Sequence, residues 1–175
     1  PRVELPRGAG RADELAHHYA EAQSLLGSDK LIHYSQIAGE AALDAHAYEQ
    51  ALTHFQRGLG ARSDDVVDDQ SAALLYGLGR AQLAAVSRDE MGLALANLVR
   101  AFDFYAREGQ RDRAVAVAVV DAPIPWREPA YLEMLQHALT LVSPDSPEQG
   151  RLLAAAAYDA ALNRGEYDEA QATFQ

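Results

Sequence analysis

Histidines and clustered carboxylates are the side chains of this 175-residue sequence with the most chemistry to offer. His17, His18, His33 and His54 raise the question of a metal site, since imidazole is a common zinc ligand. No HExxH pairing occurs, and the adjacent His17 and His18 point about 100° apart on a helix, so one ion does not meet both. One ring packing inward while the other is solvated is the simpler reading. Asp64-Asp65 and Asp68-Asp69 lack the Asp-x-Asp-x-Asp-Gly order of a calcium loop. Asp68 or Asp69 is instead expected to cap the helix that follows, where a carboxylate meets free N–H groups and the positive end of the dipole. Asp159 and Glu166 are a pair of the kind used in acid and base catalysis, yet no nucleophile or oxyanion donor accompanies them. The expectation is therefore no enzyme, no metal and no cofactor.

The elements that carry these residues read as helices. PRVELPRGAG (1–10) is an entry linker, and Leu15, Tyr19, Ala22 and Leu26 recur at helical spacing in a leading helix over 11–28. Gly27-Ser28 closes it, with Ser28 placed to cap the next helix, about 29–43. After a break at Asp44-Ala45-His46 comes a helix from about Ala47 to Gly58. Further helices are predicted near 69–85, 90–107, 110–120, 129–142, 147–163 and 167–175. The run AVAVAVV (114–120) alternates like a strand, but its helical neighbours favour helix. SPEQ (146–149) is a start signal, with Ser146 as cap, Pro147 in the first turn and Gln149 reaching back.

Composition narrows the class. With 49% hydrophobic and 23% charged residues the chain reads as globular. A formal charge of -11 argues against a nucleic-acid interface, which needs clustered Lys and Arg to displace counterions. No apolar run approaches the roughly 18 residues of a membrane span. The lack of cysteine fits a reducing compartment, and a cytoplasmic location is expected.

The most informative feature is a phrase written twice, HAYEQALTHFQ (46–56) and GEYDEAQATFQ (165–175). Tyr48, Ala51 and Phe55 fall at i, i+3 and i+7, on one helix face, and Tyr167, Ala170 and Phe174 repeat the pattern. Small Ala admits a neighbouring helix while the aromatics fill the space beside it. Gly39, in the middle of the helix upstream, costs about 1 kcal/mol against Ala, so close helix contact is its expected use. Repeats of 20 to 50 residues are the mark of solenoids.

This arrangement resembles the tetratricopeptide repeat (TPR). Gly39, Tyr48, Ala51, Phe55 and Gly58 match the motif in the first unit. Leu78-Gly79, Ala94, Leu98 and Ala101 match in the second, and Ala157-Tyr158, Gly165, Tyr167, Ala170 and Phe174 in the last. A degenerate third unit keeps only Tyr131 and Ala138 approximately. Successive second helices, taken at Ala51, Ala94, Met134 and Ala170, stand 43, 40 and 36 residues apart, longer than the strict repeat of 34. The resemblance implies an all-α, right-handed α-solenoid of antiparallel pairs, eight to nine helices in all. Its units are 29–62, 69–107, 110–142 and a truncated 147–175.

Residues 14–23 (ELAHHYAEAQ) and 30–59 are also similar to the helical region that follows the ATPase module in bacterial LuxR-type and cyclase-linked ATPase regulators. That resemblance implies a sensor or scaffold segment of a larger transcriptional or signalling protein. A start at Pro1 and a final helix cut short agree with a piece of a longer chain. No GxxxxGK[ST] loop and no helix-turn-helix occurs, so neither ATP hydrolysis nor DNA binding is assigned.

The motif's groove positions fall on His33, Gln36 and Glu40, then Tyr76 and Arg80, then Asp159 and Asn163. They imply a surface for a protein or peptide, including other domains of the parent chain; an ordinary solvated helix face is the plain alternative. A small-molecule effector in the same concavity is the second functional reading. Trp126, in the Pro-rich loop APIPWREP (122–129), either plugs a gap or anchors a partner. An exposed terminal repeat would also permit self-association.

Overall fold

The computed structural model describes residues 28–62, 67–85, 91–120 and 129–158. Among these residues there are seven α-helices and no strand: α1 (Ser28–Asp44), α2 (Tyr48–Gly60), α3 (Asp69–Ala85), α4 (Met91–Arg107), α5 (Arg111–Ala118), α6 (Pro129–Leu141) and α7 (Pro147–Tyr158). The all-α expectation holds for them. The leading helix, the final phrase 165–175 and Trp126 lie outside the described residues. No helix among the described residues is long and apolar enough to cross a membrane.

Helix boundaries follow local chemistry closely. Ser28 is itself the first residue of α1, so the cap expected of it is corrected to a position within the first turn. α1 ends in a Schellman turn: the Ala47 N–H donates to the Ala42 carbonyl at 2.8 Å and the His46 N–H to Leu43 at 2.9 Å. His46 takes the left-handed conformation, φ 57°, that glycine usually supplies there. Gly109, φ 70°, does the same after α4, with Gln110 bonding back to Tyr105 at 2.8 Å. The AVAVAVV run is helical only through Ala118, and Val119 and Val120 lie beyond α5.

The chain divides into two compact units, with the boundary inside α4 after Asn97. In the first unit α1, α2 and α3 all pack on one another. Ala51 and Phe55 of α2 are wholly buried, with Tyr48 partly buried against the same core as Ile32, Leu43, Leu74 and Leu78. α2 is pressed between its neighbours at two levels. The Phe55 ring lies so close to Gly39 that a Cβ there would stand 2.6 Å from it, and a Cβ on Gly77 would overlap the same ring. One level further along, a Cβ on Gly58 would meet Leu74 at 2.9 Å and the Ser35 Cβ at 3.1 Å. The mid-helix glycine thus has the use expected of it, at the cost in helix propensity noted above. Residues 91–97, the first two turns of α4, join this unit, and Asn97 Nδ2 donates to Gln82 Oε1 of α3 at 2.9 Å.

In the second unit Leu98, Ala101, Phe102 and Tyr105 form the buried face of α4. Arg113 of α5 clasps Tyr105: one guanidinium nitrogen donates to its hydroxyl at 2.7 Å, and the guanidinium carbon stands 4.1 Å from the ring centroid. His137 of α6 presents its ring edge-on to Phe102, 5.2 Å between centroids. α6 buries Tyr131, Met134, Leu135 and Ala138 and packs against α5 and α7. The SPEQ signal works with one change. Gln149 N–H donates to Ser146 Oγ at 3.1 Å, but Gln149 Oε1 accepts from the Asp145 N–H, at 2.7 Å, rather than from Ser146.

Candidate functional site on the seam of α1 and α3

Five of the seven residues expected at groove positions fall within the described part of the first unit. His33, Gln36 and Glu40 recur at i, i+3 and i+7 along α1, and Tyr76 and Arg80 at i and i+4 along α3. Because α1 and α3 pack side by side across α2, the two rows meet at one point. There Arg80 Nη1 donates to Glu40 Oε2 at 3.1 Å, joining residues forty positions apart in sequence. The Arg80 guanidinium carbon also stands 5.3 Å from the centroid of the Tyr76 ring, within range of a cation–π contact. Glu40, Tyr76 and Arg80 therefore form a cluster, while His33 is exposed and sets its ring edge-on to Tyr34 at 5.3 Å. Gln36 is half-buried on the same side of α1. Asp159 and Asn163 lie outside the described residues, as do the carboxylates Asp64, Asp65 and Glu166 and the histidines His17 and His18.

The electrostatics of the cluster follow from partial burial. Loss of hydration pushes the Glu40 carboxyl above its ordinary value; the charge and hydrogen bond of Arg80 pull it back only in part, and the nearby Asp44 charge adds to the rise. Burial likewise raises the Tyr76 phenol, with Arg80 opposing and Glu40 reinforcing the shift. The side chains of Arg80 and Glu40 keep 33% and 39% of their surface in water, so theirs is a half-solvated ion pair. The cluster thus offers a guanidinium, a carboxylate and an aromatic face side by side on the α1–α3 seam.

A second arginine–carboxylate pair closes the α2–α3 connection. Asp68 Oδ1 accepts from the Ser71 N–H at 2.8 Å and from the Ser71 hydroxyl at 2.9 Å, and Arg62 donates to Oδ2. Asp68 is thus the cap of α3, the role expected of it from sequence. Burial works against the Asp68 charge, but the Ser71 and Arg62 hydrogen bonds outweigh it and hold the carboxyl below its ordinary value. Among the described residues no three His, Asp or Glu side chains are grouped to hold a metal ion, and His54 is a buried side chain of α2.

Sequence reading did not single out Arg62, Ile37 or Gly77. The glycine of α3 that meets Phe55 is Gly77, two residues before the Gly79 of the motif alignment; the GLG spacing of 77–79 was the available signal. Comparison of the chain with protein-family models, with curated proteins and with solved structures finds no match.

Proposed function

We propose that this chain is a TPR-like interaction segment, a right-handed stack of eight to nine helices within a larger bacterial signalling or transcriptional regulator. It binds a protein or peptide across the first helices of successive pairs. The observation that carries this reading is the Phe55 ring set between Gly39 and Gly77, one glycine from each flanking helix. Such a contact lets one helix pair accept the next at close range, and stacking of this kind produces the extended binding faces of solenoids. The Glu40–Arg80 bond supports it, because it brings together residues taken from the groove positions of two successive units. The regulator context rests on the similarity of residues 14–23 and 30–59, and with it comes a cytoplasmic location.

The test is calorimetric titration with an arrayed peptide library and with a panel of metabolites. Saturable peptide binding that weakens on replacing Tyr76 or His33 is the expected result. Saturable heat with a metabolite and none with any peptide would transfer the assignment to an effector site. Turnover of any substrate that is lost on replacing Arg80 would overturn the binding reading altogether.

A further inference from the structure

The outer face of α1 carries one continuous stripe, His33, Ile37, Glu40 and Asp44, at i, i+4, i+7 and i+11. Over eleven residues a helix rises about 16 Å, the span of a short peptide. The stripe lies opposite the buried face made by Leu31, Ser35, Ala38 and Ala42, which turns toward the core. Ile37 at its centre is 41% exposed, while His33 and Asp44 are exposed and Glu40 is half-buried. A lone exposed isoleucine is common on protein surfaces. This one stands between a histidine and two carboxylates, beside the half-buried Tyr76 and Arg80.

The charge balance of the stripe selects the occupant. Arg80 is already shared between Glu40 and the Tyr76 ring, and it bonds only one carboxylate oxygen of Glu40. Asp44 adds a second negative charge close enough to raise the Glu40 carboxyl. One arginine against two carboxylates leaves the stripe negative, on a chain whose formal charge is -11. An incoming carboxylate would meet repulsion, and an incoming lysine or arginine attraction, from both the local and the long-range field.

Resting on the proposed peptide-binding function, we infer that α1 receives a basic segment of a protein partner, in which an apolar side chain flanked by lysines or arginines covers Ile37. The cations lie toward Glu40 and Asp44, and the apolar side chain supplies the desolvated centre that such contacts need.

Fluorescence anisotropy with two labelled peptides, Ser-Lys-Lys-Leu-Lys-Lys-Ser and its charge-reversed Ser-Glu-Glu-Leu-Glu-Glu-Ser, tests this on the full chain. The basic peptide binds at least tenfold more tightly. Ile37→Ser and Asp44→Asn each weaken it about threefold to tenfold, with the helical circular dichroism unchanged. Asp103→Asn, which removes the same charge from an exposed position in the other unit, leaves the affinity within twofold. Equal loss with Asp103→Asn, tighter binding of the acidic peptide, or indifference to Ile37→Ser and Asp44→Asn would each overturn the inference. Binders from the arrayed library that are acidic, or insensitive to the α1 variants, would remove this inference and leave peptide binding standing. A library with no binder at all, the basic peptide included, would remove both.

Discussion

Among its described residues the first unit has two arginine–carboxylate pairs that treat their acids in opposite ways. Asp68 receives hydrogen bonds from a backbone N–H, a hydroxyl and a guanidinium, and its carboxyl is held below the ordinary value. Glu40 receives one guanidinium hydrogen bond, loses part of its hydration and faces Asp44, and its carboxyl is pushed up. Proximity of an arginine is therefore not what decides whether an acid contributes to stability. The number of donors that replace lost water decides it. By that measure Asp68 is structural, whereas Glu40 and Arg80 are only partly satisfied among the described residues.

The largest effect that separates the two pairs is expected at the cap. Asp68→Ala removes the acceptor for the Ser71 N–H and strips Arg62 of its carboxylate, which together lower stability by about 2 kcal/mol. Urea unfolding followed by circular dichroism measures it, and a loss no greater than that of an exposed control would erase the distinction between the pairs. Arg80→Met comes next, at about 1 kcal/mol, because it leaves Glu40 half-buried beside Asp44 with no compensating cation. Combining it with Glu40→Gln should restore most of the loss; a double variant as weak as the single one would show that Arg80 acts through its stem on Tyr76 instead.

A third group sharpens the rule by having neither a donor nor an acceptor partner among the described residues. Ser35 is fully buried against Gly58, and its hydroxyl has no hydrogen-bond partner among the described residues. Ser35→Ala is accordingly expected to stabilise the chain by about 0.5–1 kcal/mol, read as a higher urea midpoint with unchanged slope. A lower midpoint would mean that the hydroxyl is satisfied in solution, and the comparison would then rest on the two carboxylates alone.

Much of the first unit was legible in its residues. Tyr48, Ala51 and Phe55 share a face because their spacing matches the helical turn, and a mid-helix glycine such as Gly39 has few uses other than close contact. Glu40, Tyr76 and Arg80 were named only as expected groove positions, and the structure brings these three side chains together. The bond between Glu40 and Arg80 was not legible. It depends on side-chain reach across a seam set by three helices, and so does the choice of Gly77 over Gly79 beneath Phe55. Capping was legible to within a residue: Asp68 and Ser146 hold their places, whereas Gln149 bonds Asp145 and Ser28 lies inside its helix. The Gln149 shift arises because its long side chain has several N–H groups of similar distance within reach.

The smallest effect is also the most direct test of the comparison, because the two acids must respond to pH with opposite sign. Asp68 has its folded value lowered, so its stabilisation is present above the ordinary carboxyl range and is lost as pH falls through the folded value. Glu40 has its folded value raised, so its contribution is largest below the ordinary range and is lost as pH rises through the folded value. At neutral pH Glu40→Gln should therefore cost nothing and gain a few tenths of a kcal/mol, about 0.3, by removing a poorly compensated charge. Acidification from neutrality toward the ordinary glutamate range should then close the gap between the native chain and the Glu40→Gln variant. Over the lower aspartate range the native chain should instead lose its advantage over Asp68→Asn. Unfolding midpoints of the three proteins across that range would show two difference curves of opposite slope. Parallel curves would mean that burial and donor count act alike at both sites, and that Glu40 is as fully satisfied by Arg80 as Asp68 is by its cap.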